Sequence, residues 1–120
     1  MQPSFEPETA AAVAAVLSNP VRLRLVERLL AGPCIVGDLV EATGLGQAVV
    51  SKQLGLLRAA GLLACAPQGR CREYRLASPG DAAALVAALG GLAKACAANL
   101  RDCPKQAVRS PRTDEKRIRQ

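Results

Sequence analysis

Five cysteines and no histidine limit the chemistry this 120-residue chain can offer. Without histidine there is no imidazole base, no Ser-His-Asp triad and no mixed Cys/His zinc site. The thiols stand at Cys34, Cys65, Cys71, Cys96 and Cys103, an odd number that intrachain disulfides cannot pair completely. What remains is thiolate chemistry, either soft-ion binding or redox. Cys96 and Cys103 are seven residues apart and so share one helix face, which makes them the candidate metal ligands. Three-coordinate soft ions need thiolates alone, so As(III) or Sb(III), as arsenite or antimonite, is the favoured ion for such a pair. Seven residues of unbroken helix rise about 10.5 Å, whereas thiolates sharing an ion sit within roughly 4 Å. A shared ion therefore needs either a helix that ends before Cys103, which Pro104 permits, or ligands from two subunits. Cys65 and Cys71 flank a turn. A two-residue turn at Gln68-Gly69 pairs Ala66 with Cys71 and sends Cys65 to the opposite face. A three-residue loop would set the two thiols against each other, as a coordinating pair or a regulatory disulfide.

A second group of residues suits a different partner. Gln47, Ser51, Lys52 and Gln53 belong to a stretch in which Val50, Leu54 and Leu57 recur at helical spacing. The apolar residues turn inward and the polar ones are left for base edges or phosphates. Arg70 sits in Pro67-Gln68-Gly69-Arg70, between two short extended runs, at the tip of an expected hairpin.

The elements that position these residues follow from capping and periodicity. Pro7 to Leu17 reads as a helix, with Pro7 and Glu8 in its first turn. Asn19 caps a second helix over 20–31, with Pro20 at its first position and Val21, Leu25 and Leu29 on one face. Ile35 to Thr43 is a short third helix, Gly44-Leu45-Gly46 a turn and Gln47 to Ala60 a fourth helix. Gly61 stops that helix in the left-handed conformation. Leu62–Ala66 and Cys71–Leu76 form the hairpin. Asp81 opens a long last helix carrying Leu85, Leu89, Leu92, Cys96, Leu100 and Cys103 along one stripe. The fold class expected is mainly α with a small β-hairpin (α+β). Its order is four helices, two strands and one helix, which is a winged helix-turn-helix.

Several segments resemble the ArsR/SmtB family of winged-helix, metal- and metalloid-responsive transcriptional repressors. They are Ser18-Asn19-Pro20-Val21-Arg22-Leu23, Gly44 through Leu54, Leu57-Arg58-Ala59-Ala60-Gly61-Leu62-Leu63, Gly69-Arg70 and Tyr74-Arg75-Leu76. The family's recognition helix reads like Ser-Gln-Pro-x-x-Ser-x-His-Leu. Gln47, Ser51 and Leu54 match it, while Gly46, Ala48 and Gln53 replace Ser, Pro and His. The resemblance covers about residues 10–103. It implies a homodimer through the first and last helices, bound to double-stranded operator DNA and released by an inducer. The polar face of the fourth helix and the basic hairpin tip give the expected DNA contacts as Gln47, Ser51, Lys52 and Gln53, with Arg70 in support. The family's carboxylate–histidine zinc site needs His and is absent. Its arsenical box in the helix before the recognition helix reads Leu-Cys-Val-Cys-Asp. Here Ile35 and Gly37 fill the ligand positions, and Cys34 is one place off register, a buried or interfacial thiol. Some arsenical-responsive members carry their cysteines at the C-terminal end, where Cys96 and Cys103 lie. The alternative on the same fold is a redox or reactive-sulfur repressor whose cysteines oxidise without binding an ion. An enzyme is not expected, since neither a His base nor a Gly-rich phosphate loop is present.

Composition bounds the rest. Phe5 and Tyr74 are the only aromatics, so the core must be Leu, Val, Ile and Ala. Most of the net charge of +6 lies beyond residue 104, where Lys105, Arg109, Arg112, Lys116, Arg117 and Arg119 face only Asp114 and Glu115. The domain reading is therefore 1–104 for DNA binding and dimerisation and 105–120 for a basic, disordered tail. No apolar run approaching a membrane span and no signal peptide are expected, which implies a cytoplasmic protein without a membrane partner.

Overall fold

A computed structural model describes residues 5–102, with side chains through residue 100. Its elements are α1 (Pro7–Leu17), α2 (Pro20–Leu29), β1 (Cys34–Ile35), α3 (Val36–Thr43), α4 (Gln47–Ala59), β2 (Leu63–Gln68), β3 (Cys71–Leu76) and α5 (Pro79–Asp102). The five helices and the antiparallel hairpin are the winged helix-turn-helix expected from the sequence. The expected tail and the domain boundary before it lie outside the described residues.

Local chemistry explains most boundaries. Asn19 Oδ1 accepts from the backbone N–H of Val21 at 2.8 Å and of Arg22 at 3.2 Å, satisfying two of the orphan donors at the start of α2. Gly44 ends α3 at φ +73°, and Gly61 follows α4 at φ +85°, a region glycine enters without strain. Ser78 donates to Asp81 Oδ2 at 2.6 Å in the first turn of α5, where a carboxylate also suits the helix dipole.

Several boundaries differ from expectation; α4 ends at Ala59 rather than Ala60, and β2 runs Leu63–Gln68 rather than Leu62–Ala66. The second helix stops at Leu29, two residues early. The third begins at Val36, because Cys34 and Ile35 form a strand opposite Tyr74 and Glu73 of β3. Two residues carry no readable period, so that strand is set by its partner. The sheet accordingly has three strands, in the order β1-β3-β2. The hairpin also closes one residue later than expected. Gln68 pairs with Cys71, leaving Gly69 and Arg70 as the turn, with Gly69 at φ +61°.

The chain divides into two units, Met1–Val86 and Ala87–Gln120. In the first, Leu25 from α2, Leu39 from α3, and Val50, Leu54 and Leu57 from α4 are fully buried. Leu63, Tyr74 and Leu76 close this core from the sheet. The inward positions expected on α4 are thus the observed ones. Beyond Ala87, α5 keeps its large apolar side chains exposed, Leu92 at 61% and Leu100 at 48%. Within Pro79–Leu100, 22 residues long, an 18-residue window has mean hydropathy 1.6, enough in length and composition to match a membrane span. That corrects the expectation that no stretch would be. Alanine and glycine between spaced leucines produce the value, rather than a run of large apolar residues.

Candidate nucleic-acid interface

The first two turns of α4 present Gln47, Ser51 and Lys52 to solvent, because Val50, Leu54 and Leu57 take the opposite side into the core. Gly46 occupies the N-cap and offers no side-chain acceptor, so the first backbone N–H groups of α4 are uncapped. Such a helix start favours an anionic oxygen. Across from it stands the hairpin. Gln47, Ser51, Arg70, Cys71 and Arg72 line a single open recess of about 330 Å³. The start of α3 forms its floor, with Ile35, Val36 and Gly37. The register brings this about. Pairing β1 with β3 ties the base of the wing to the segment that enters α3.

The recess therefore combines neutral hydrogen-bonding side chains, two guanidinium groups and free helix-start donors. That set can hold a phosphate backbone and offer side chains to bases, and it contains no acid–base pair suited to catalysis. Three of the five residues expected at a DNA surface, Gln47, Ser51 and Arg70, line it together. Lys52 is exposed one residue further along α4. Gln53 is placed differently. Its side chain is half-buried, and its Oε1 accepts from Arg22 Nη1 at 2.7 Å.

Arg22 lies outside the residues expected at the DNA surface. It is 4% exposed and also donates through Nε to the carbonyl oxygen of Val16. The signal was available. Arg22 stands three, four and seven residues before Leu25, Val26 and Leu29, on the inward stripe of α2.

The described cysteines are all free. Cys34 is buried, and burial pushes its thiol up. Arg28 opposes that shift, while Asp38 and Glu73 add to it. Cys65 lies opposite Tyr74 on the inner face of the hairpin, and Arg72 Nη1 approaches its Sγ at 3.8 Å. Cys71 lies opposite Gln68 on the outer face and is exposed. Cys65 and Gln68 are three residues apart on one strand, so the two thiols occupy opposite faces. This agrees with a two-residue turn and removes the facing arrangement. Cys96 is exposed on α5, which runs on through Asp102. Cys103 lies outside the described residues. Among the described residues no three His, Cys, Asp or Glu side chains come together in a way that could hold an ion.

Comparison with known proteins places this architecture. A family model described as "Bacterial regulatory protein, arsR family" matches residues 19–64. The biofilm growth-associated repressor of Xylella fastidiosa is 44% identical over 73 residues, covering 61% of this chain and 63% of that protein. The match thus spans less than two thirds of that relative. Among solved structures, the transcriptional repressor BigR from Xylella fastidiosa aligns with a TM-score of 0.63 at 40% identity, covering 71% of this chain and 89% of that one. A protein from Mycobacterium bovis, described as a homodimeric winged helix-turn-helix DNA-binding domain, aligns with a TM-score of 0.64 at 27% identity, covering 78% and 91%.

Proposed function

Since the chain belongs to the arsR family of bacterial regulatory proteins, we propose that it is a cytoplasmic transcriptional repressor. It binds operator DNA as a homodimer and lets go when a thiophilic metalloid or soft metal ion binds its cysteines. The observation that carries the DNA reading is the convergence of Gln47, Ser51 and Arg70 on one recess beside an uncapped helix start. Lys52 supplies a further phosphate contact. Gln53, held by Arg22, acts from within the protein. A twofold dimer would read an inverted repeat with half-sites about one helical turn apart, or a multiple of that. Dimerisation through α1 and α5 is supported by the exposed stripe of Leu85, Leu89, Leu92 and Leu100.

The inducer site is Cys96 with Cys103, and arsenite or antimonite is the favoured ion. Five thiols and no imidazole suit soft three-coordinate ions. Because α5 continues through Asp102, ligands from two subunits, or a chain that turns at Cys103, must complete the set. Either arrangement makes ion binding rearrange the dimer helix and with it the spacing of the two α4 helices. A few kcal/mol of differential affinity between two dimer states is enough for release.

A second reading is favoured by one observation: among the described residues no three ligating side chains cluster. A repressor that senses oxidation or reactive sulfur needs no preformed ion cage, and Cys71 and Cys96 are both exposed. One experiment separates the two. A DNA duplex is enriched on the protein from a random-sequence library. Its release is then followed with arsenite or antimonite under reductant, and with a disulfide-forming oxidant in the absence of ions. Cys96→Ser and Cys103→Ser should each keep DNA binding and lose ion-driven release, while Cys65→Ser and Cys71→Ser behave as the parent. Release by oxidant alone would replace the ion reading with the redox one. Full duplex binding by a Gln47→Ala/Ser51→Ala/Arg70→Ala triple variant would sink the interface.

A further inference from the structure

A buried guanidinium has to place its donors on acceptors or remain unfavourably desolvated. Those that Arg22 finds among the described residues are two neutral oxygens on two different helices. One is the carbonyl of Val16, in the last turn of α1, a carbonyl that α1 cannot itself satisfy. The other is Gln53 Oε1 in the middle of α4, 31 residues along the chain. Arg22 is itself fixed, because Asn19 Oδ1 accepts its backbone N–H at 3.2 Å. The guanidinium is planar and its donors form a rigid fork, so the two acceptors are held in one geometry relative to each other. Gln53 immediately follows Ser51 and Lys52, and a rotation of α4 that moved Gln53 off Arg22 would swing both.

We propose that Arg22 is a positioning residue for nucleic-acid binding. Through Gln53 it fixes the rotation of α4 against the C-terminal end of α1, so that Gln47 and Ser51 face the recess they share with Arg70. The link runs both ways, and a displacement of α1 is passed to the reading helix through one cation. This rests on the DNA reading above. It assigns Gln53 to Arg22 rather than to a base.

The test turns on Gln53→Glu. A carboxylate keeps, and strengthens, the acceptor for Arg22. Against DNA it would instead add a negative charge opposite phosphates. On a duplex enriched from a random library by the parent protein, Gln53→Leu and Arg22→Met should weaken binding about tenfold or more, because each breaks the buried hydrogen bond. The dependence on salt should be unchanged, since no phosphate contact is lost. Gln53→Glu should stay within about threefold of the parent. Hydrogen exchange without DNA gives a second readout: amides of Val50 to Leu57 should lose protection in Gln53→Leu and regain it in Gln53→Glu. If Gln53→Glu binds as poorly as Gln53→Leu while α4 stays protected in both, Gln53 contacts DNA and the proposal falls. It also falls if Gln53→Leu binds as the parent does. Should Arg22→Met lose its cooperative melt, the Gln53 pair decides alone. If the parent enriches no duplex, the DNA reading fails, and hydrogen exchange still tests whether Arg22 positions α4.

Discussion

The region proposed to read DNA, residues 36–76, and the distal part of α5 use the same apolar residue types to opposite ends. In the first, Leu39, Val50, Leu54 and Leu57 are removed from water completely, and the polar residues beside them acquire fixed places as a result. In the second, Leu89, Leu92 and Leu100 stay exposed, although Ala82 and Val86 near the start of the same helix pack against the core. Burial fixes the polar residues of the first region, whereas the second keeps an apolar surface for the self-association proposed above. The same leucine spacing serves both, and what separates them is whether the side chains are buried or exposed among the described residues.

That contrast is easiest to break in the core. Leu54→Ala should lower unfolding stability by about 2–5 kcal/mol, because Leu54 is fully buried and truncation leaves a cavity. Leu92→Ala, 61% exposed in the parent, should leave the melting of the isolated chain nearly unchanged. Chemical denaturation at a concentration low enough to dissociate copies measures both. Next in size is Leu89→Glu with Leu92→Glu. The fold should survive, sedimentation should report a monomer, and affinity for a two-half-site duplex should fall about 10²-fold or more as bivalent binding is lost. A dimer that persists would place the seam elsewhere.

Smaller effects sharpen the reading surface. Gln47→Ala should cost about 1–3 kcal/mol on the preferred duplex and little on others, if its amide reads a base. Arg70→Ala should weaken all duplexes alike and lower the salt slope by about one. The smallest effect concerns pH. Burial raises the Cys34 thiol, so the folded state holds that proton more tightly than the unfolded chain does. Its contribution to stability is complete below the ordinary thiol pKa of about 8.5 and is lost as pH climbs above it. Denaturation midpoints should therefore fall less between about pH 7 and 9.5 in Cys34→Ala than in the parent.

Much of this architecture was legible because it is local. Asn19-Pro20 announces α2, Gly61 marks the end of α4, and the spacing of Val50, Leu54 and Leu57 fixes which side of α4 is inward. What was not legible depends on partners distant in sequence. The β1 strand exists only because β3 lies beside it, and its two residues cannot show an alternation. The placement of Gln53 depends on Arg22, which local spacing does not bring near it. Among the candidate ligands, the opposite faces of Cys65 and Cys71 followed from strand parity, a local property. Whether Cys96 meets a second thiol is a question of assembly, which no spacing within one chain decides.

One feature of the hairpin bears on how copies can meet. Gln68 and Cys71 close a two-residue turn and so form a hydrogen-bonded pair. The next pair along, Pro67 with Arg72, is then a non-hydrogen-bonded one, whose backbone N–H groups point away from each other. Pro67 has no N–H to offer, and β2 is an outer strand of the sheet. The missing donor therefore faces the open edge, where a visiting strand would need it, and the ladder inside the hairpin is untouched. Proline at this position leaves the wing intact and makes it a poor template for growth of the sheet into fibres, which steers self-association toward helical surfaces.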